Sequence, residues 1–322
     1  MPVTHHPRIR YVMFFYLKRY RCSALCMVVM VGLGFGGETA RGETAKRLIL
    51  DADTANEIDD MYAITRMIKQ DRFTILGLSS AQWFHYLSEQ DSVGASQREN
   101  EALLKILDRE DLPAPIGSSE PMGKPWGGNE AKDSPAAQFI IKHAKQASPD
   151  DKLIVVCLGA STNLASAIRL SPDIAKNIDA YLLGFKFDVK TNVWNKSEFN
   201  IRRDLNAADY VLNCKDLTLH VMPATVAQAL TFEQEETFRR HQRMGELGHY
   251  LSTKWKARFA NNKTWVMWDL ALVQAVINPD LATTKQVLTP PENTQRKITV
   301  YDSIDEKAMR QDYWSVVLPT AK

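Results

Sequence analysis

Between residues 47 and 222 the chain repeats one unit, a short apolar run followed by an amphipathic stretch of helical spacing. RLILDA (47–52) precedes MYAITRMIKQ (61–70), FTILGLSS (73–80) precedes ENEALLKIL (99–107), and KLIVVCLG (152–159) precedes TNLASAIRL (162–170). PAPIGS, AAQFIIKHAKQ, AYLLGF, AADYVL and LTLHVM continue the alternation. Such text predicts an α/β fold, a mostly parallel sheet flanked by helices with a Rossmann-like core. In such sheets ligands gather in the crevice outside the carboxyl ends of the strands. The end of the first strand is therefore the first place to look for chemistry.

Beyond residue 230 the text turns polar and helix-rich, and WVMWDLALVQAVI (265–277) has helical spacing. From about residue 285, KQVLT, KITVYD and SVVLP read as a few strands. No internal repeat and no low-complexity linker interrupts this order, so residues 45–322 are expected to form one domain with elaborations. With 322 residues, 45% of them hydrophobic, the chain is long enough for a substantial core.

The formal charge of +2 is set by the front of the chain. Residues 1–40 hold Arg8, Arg10, Lys18, Arg19 and Arg21 against Glu38, which leaves 35 of the 40 basic and 37 of the 38 acidic side chains in the body. A near-neutral body without a basic block offers no electrostatic footprint for nucleic-acid polymers. The front itself reads as an export signal: basic residues, the apolar run ALCMVVMVGLGFGG, then polar text with small residues suited to cleavage. An uncleaved anchor is the alternative, although the run is short for the ~20 residues of a membrane span. A start at Met13 is compatible with the same reading. The expected destination is the periplasm or the medium, with no stable membrane insertion. Only Cys157 and Cys214 lie in the body, so a disulfide framework is not expected.

RLILDADTANEIDD, residues 47–60, packs four aspartates and a glutamate behind the first apolar run. Carboxylates that close raise one another's pKa unless a cation sits among them. All the candidate ligands carry oxygen, which favours calcium or magnesium. Glu57, Asp59 and Asp60 are also explained as acids beside a helix start, where the dipole favours them. An EF-hand is excluded, because its Gly and late Glu are missing. A haloacid dehalogenase-type phosphatase would share the Asp-x-Asp opening, but Ala55 stands where it needs Thr or Val, and no later acidic pair for magnesium is apparent.

Three further stretches accompany the acidic one. They are CLGASTNLASAI (157–168), TNVWNKSEFNIRRDLNAAD (191–209) and VMWDLALVQAV (266–276). Together the four resemble, in order, the segments of the inosine-uridine preferring nucleoside hydrolase family. Its opening turn is Asp-x-Asp-x-x-x-Asp-Asp, here two residues longer. The Asn-x5-Glu-Phe-Asn spacing of Asn192, Glu198 and Asn200 is the most specific match. In the last stretch Asp269 takes the place of a metal-binding aspartate, while Trp268 replaces a histidine that many members place beside the leaving base, and Leu270 replaces proline.

The resemblance implies calcium-dependent hydrolysis of the N-glycosidic bond of ribonucleosides or related N-ribosides. It implies a Ca²⁺ held by Asp53, Asp60, Asp269 and the Thr162 main-chain carbonyl, with Asp53 as general base. Asp59, Asn192, Glu198 and Asn200 would grip the ribose hydroxyls. Asp51 either orients water or braces the turn, and Asn56 and Glu57 belong to the added length.

The departing-group side leaves the family pattern. LGLSSAQWFHYLSE (76–89) offers Gln82, Trp83 and His85, of which Gln82 or Trp83 is expected to face the pocket. EPMGKPWGGNEAKD (120–133), rich in Gly and Pro, is expected to form a mobile flap. Trp83, Trp126, Trp194 and Trp268 are candidates for stacking a base. A protein that keeps the calcium cradle but binds sugar or nucleoside without cleavage is the competing reading. A homo-oligomer would suit the relatives, though no feature of the sequence reports an interface.

Overall fold

A computed structural model describes residues 45–319 except residue 87, so the leader read over 1–40 lies outside the described residues. In chain order the elements begin with β1 (Lys46–Ala52), α1 (Asp59–Ile68), β2 (Phe73–Ser80), α2 (Ser92–Ile106), α3 (Pro135–Ala144), β3 (Leu153–Cys157), α4 (Thr162–Leu170) and β4 (Ile178–Leu183). There follow β5 (Lys186–Asp188), β6 (Val193–Asn195), α5 (Phe199–Arg203), α6 (Leu205–Asn213), β7 (Thr218–Met222) and α7 (Ala224–Ala227). The last part holds β8 (Thr231–Glu233), α8 (Gln234–His241), α9 (Gly245–Phe259), β9 (Thr264–Val266), α10 (Trp268–Ile277), β10 (Ala282–Leu288), β11 (Lys297–Ile304) and α11 (Glu306–Val317).

Seven strands form the central sheet in the order β10-β11-β7-β4-β3-β1-β2. All neighbours pair parallel except β10 with β11, which makes β10 an antiparallel edge. The α/β reading with a mostly parallel sheet is thus borne out. β1 sits between β2 and β3, so the chain turns outward in opposite directions from this pair. That arrangement opens a crevice at the carboxyl ends of β1 and β3.

The strand sequences explain the layers. Successive side chains point to opposite faces: Leu48, Leu50 and Ala52 join one buried apolar cluster with α1 and α10, while Ile49 joins the other with α3 and α4. In β3 Ile154 and Val156 take the first face, and Leu153, Val155 and Cys157 the second. A strand covered on both sides reads as a continuous apolar run, as LIVVC does. Cys157 is a fully buried free thiol within this packing.

Three local expectations are corrected. SVVLP does not form a strand: Ser315–Val317 end α11, whose Met309, Tyr313, Trp314 and Val317 are buried at helical spacing. PAPIGS lies beside β2 without becoming a ladder strand. Leu78 and Ser80 donate main-chain bonds to the Pro113 and Pro115 carbonyls, and the two prolines have no N–H to return. The 120–133 segment, expected to be a flap, is pinned. Met122 N–H donates to Asp204 Oδ2 (2.7 Å), Asn206 Nδ2 donates to the Met122 and Lys124 carbonyls (2.7 and 3.0 Å), and Lys132 N–H to Ser166 Oγ (3.0 Å).

Candidate active site

The site lies at the predicted strand end. Asp51 is the next-to-last residue of β1, Asp53 follows the strand, and residues 54–58 lead into α1, which opens with Asp59 and Asp60. α10 begins beside them, because Asp59 Oδ2 accepts the main-chain N–H of Asp269 at 3.1 Å. Two helix N-termini therefore converge on one group of acids, and both macrodipoles favour negative charge there. Asp59, Asp60 and Asp269 each bring a carboxylate oxygen within 4.8 Å of the others.

These residues line a cavity of about 270 Å³, together with Asp53, Leu158, Glu198, Asn200 and Trp268. Glu198 caps α5, accepting the N–H groups of Asn200 and Ile201 at 3.0 and 3.1 Å. Asn200 Nδ2 donates to the carbonyls of Leu158 and Leu183, which leaves its Oδ1 as the atom able to receive a hydroxyl.

The electrostatics are those of an acid cluster awaiting positive charge. Burial, then the Asp59, Glu198 and Asp51 charges, pushes Asp53 up to about 8. Burial, then Asp59, Asp53 and Glu198, pushes Glu57 up to about 8 as well. Asp59 rises to about 6 through burial, opposed by the bond from Asp269. Burial raises Asp60 and Asp269 well above the ordinary carboxylate value, with their acidic neighbours adding to it.

The donor set fits a hard divalent cation. Asp53 Oδ2, Asp60 Oδ1 and Asp269 Oδ1 are buried without a hydrogen-bond partner. An unpaired buried carboxylate oxygen is costly, and three facing one cavity are relieved together by a single ion. Proximity groups Asp59 with Asp60 and Asp269, whereas the unpaired oxygens group Asp53 with them. The second grouping is the better guide to ligands, because one Asp59 oxygen is already engaged by Asp269.

Three expected site residues lie elsewhere. Asn192 is at the exposed tip of the β5–β6 hairpin, in a left-handed conformation (φ 58°), and its Oδ1 accepts from Lys285 Nζ at 2.8 Å. Gln82 is buried and does not line the cavity, donating to the Arg203 carbonyl at 3.2 Å and accepting Phe84 N–H at 3.1 Å. Thr162 is the first residue of α4, and its hydroxyl donates to Asp204 Oδ2 at 2.7 Å. Leu158, at the end of β3, is the residue of that segment that lines the cavity. Of the four tryptophans considered, Trp268 lines the cavity. Trp83 donates to Ser96 Oγ, Trp194 to the Leu288 carbonyl, and Trp126 is 83% exposed.

Asp51 braces the turn, though through side chains instead of backbone amides. Its Oδ1 accepts Ser79 Oγ at 2.6 Å and Asn163 Nδ2 at 2.9 Å. Gly159 was legible only as part of a pattern, and geometry gives its reason. A Cβ there would lie 2.8 Å from Asp53 Cγ, so glycine lets the β3 loop press against the acid. Lys186 and Arg202 also line the cavity and carried no signal in the sequence.

Comparison with known proteins bears on the family and the fold. The model of the inosine-uridine preferring nucleoside hydrolase family matches residues 48–313. A curated relative, described as a probable uridine nucleosidase 2 of Arabidopsis thaliana, is 30% identical over 191 residues, 52% of this chain and 56% of its own length. The match thus spans little more than half of that relative. Among solved structures, the plant nucleoside hydrolase PpNRh1 superposes with a TM-score of 0.67 at 16% identity, covering 85% of this chain and 99% of that one. A purine-preferring ribonucleoside hydrolase from Gardnerella vaginalis gives 0.63 at 20% identity, covering 84% and 98%. At such identities the superpositions speak to the fold, and the family match speaks to descent. The chain belongs to the inosine-uridine preferring nucleoside hydrolase family.

Proposed function

We propose that the protein hydrolyses the N-glycosidic bond of ribonucleosides or related N-ribosides, with one calcium ion held by Asp53, Asp60 and Asp269. The observation that carries this is the set of unpaired buried oxygens on those three residues, facing a cavity that Glu198 and Asn200 also line. The main-chain oxygen of the ligand set is assigned to Leu158 in place of Thr162, because Leu158 is the one that borders the cavity. When bound, calcium would keep the carboxylates ionised, lower the pKa of water and anchor two vicinal hydroxyls.

Each protein group then has a task. Asp53 accepts the proton of the attacking water through the carboxylate oxygen that the ion does not hold. The bond from C1′ to the base nitrogen breaks, a water oxygen bonds to C1′, and the base takes up a proton. The buried acids favour the positive charge that develops on the sugar as the base departs. Glu198, held by two backbone amides, and Asn200, presenting Oδ1, accept ribose hydroxyls. Asp59 contacts the sugar beside them. Trp268 supplies a flat, half-buried indole for the departing base.

The export reading of residues 1–40 stands as part of this proposal and places the enzyme in the periplasm or the medium.

One observation favours a second reading. Among the described residues no histidine lines the cavity, so no imidazole is placed to protonate a base, which suits a protein that binds N-ribosides without cleaving them. Incubating purified, calcium-loaded protein with a nucleoside panel and measuring reducing ribose separates the two. Release that is lost on chelation and in Asp53→Ala is expected. Calcium binding with no release from any nucleoside would leave the binding reading in its place.

A further inference from the structure

The cavity is electrically two-ended. Asp53 just past β1, Glu57, Asp59 and Asp60 at the start of α1, and Asp269 on α10 make one side acidic, while Lys186 and Arg202 line the opposite wall beside Glu198. Lys186 opens β5, just beyond the carboxyl end of β4. Arg202 stands one helical turn beyond Glu198, its N–H bonded to the Glu198 carbonyl at 3.1 Å. Both are exposed, and neither makes an ion pair or side-chain hydrogen bond among the described residues. Their neighbours differ: Lys196 pairs with Asp209 and Glu292, and Arg203 donates to the Phe84 carbonyl.

We infer that the cavity selects N-ribosides bearing an anionic group on the 5′ arm, the class to which nucleoside 5′-monophosphates belong. This rests on the proposed orientation of the sugar. If the vicinal 2′ and 3′ hydroxyls face the acidic side and the base on C1′ faces Trp268, the remaining substituent, C5′, points toward the Glu198 wall. Two unpaired cations there offer a phosphate charge-assisted hydrogen bonds, the guanidinium in bidentate fashion. A neutral 5′ hydroxyl brings no charge of its own to either. Asn192, the residue the family pattern assigns to this sugar, is turned away to Lys285, so the wall that would meet a hydroxyl is rebuilt around positive charge.

The test uses the calcium-loaded full chain and compares kcat/KM for a nucleoside, its 5′-monophosphate, and a nucleoside with a carboxylate on the base. Dissociation constants from calorimetry for the same three compounds give the same comparison where turnover is absent. A 5′-monophosphate preference over the nucleoside of about tenfold or more is expected. In the double variant Lys186→Gln, Arg202→Gln that ratio should fall to near one, and in wild type it should shrink as salt is raised. A wild-type ratio of one or less, or a preference confined to the base carboxylate, overturns the inference. Because the plain nucleoside is assayed alongside, its cleavage sustains the nucleosidase reading even when the phosphate preference fails. Absence of turnover and binding for all three compounds defeats both.

Discussion

Asp59 Oδ2 accepts the main-chain N–H of Asp269 at 3.1 Å, joining residues 210 positions apart. The bond holds the first turns of α1 and α10 together, and with them the acids that no local sequence rule could bring within reach of one another. Asp59→Ala is expected to cost about 1–3 kcal/mol of stability, since a buried N–H loses its partner. Asp59→Asn keeps an oxygen acceptor and should retain most of that stability. Urea unfolding of the two variants checks this, and equal losses in both would show that the bond does not matter.

Without a cation the acid cluster makes stability pH-dependent. Asp53 and Glu57 rise from 3.8 and 4.5 to about 8, and Asp59 from 3.8 to about 6, all primarily through burial. A carboxyl whose folded pKa is raised binds its proton more tightly in the fold than in the unfolded chain. Its contribution is complete below the ordinary value and is lost as pH climbs through the folded one. Chelated protein should therefore lose about 5 °C or more of melting temperature between pH 5 and pH 8. Millimolar calcium should flatten that slope, because it stabilises the ionised form. A chelated protein whose melting temperature rises over this window would contradict the raised values.

Gly159 tests how closely the β3 loop presses on the general base. A methyl group there meets Asp53 Cγ at 2.8 Å, so either the loop or the carboxylate must move. Gly159→Ala should destabilise by about 1–3 kcal/mol and lower kcat more than it raises KM, because Asp53 is displaced while Glu198 and Asn200 are not. Unfolding and steady-state kinetics on the same sample read both effects.

Asn192 and Asn200 separate the family pattern from the geometry. Asn200 lines the cavity and Asn192 does not. Asn200→Ala should raise KM about tenfold or more by removing a sugar contact, whereas Asn192→Ala should change KM less than about twofold. A comparable KM effect from both would show that the β5–β6 hairpin closes over bound substrate.

Much of this was legible in short stretches. Asp53, Asp59 and Asp60 follow an apolar strand directly, and Glu198 and Asn200 lie two apart across a helix start, so local order suffices to place them. Thr162 failed because one polar segment offers several main-chain oxygens, and only the packing of α4 shows Leu158 at the cavity. Asn192 failed because a hairpin turn and Lys285, 93 positions away, decide where it points. SVVLP failed because its apolar residues serve a helix face as well as a strand. Lys186 and Arg202 resemble any surface cation until the cavity is drawn around them.

The most direct test of a single cation site built from distant acids is calcium titration of metal-stripped protein by calorimetry, wild type beside Asp60→Ala. One equivalent of calcium bound per wild-type chain, and no binding above background in the variant, is the expected result. A wild-type chain that takes up no calcium, or a variant that binds it as well as wild type does, would contradict the proposed centre.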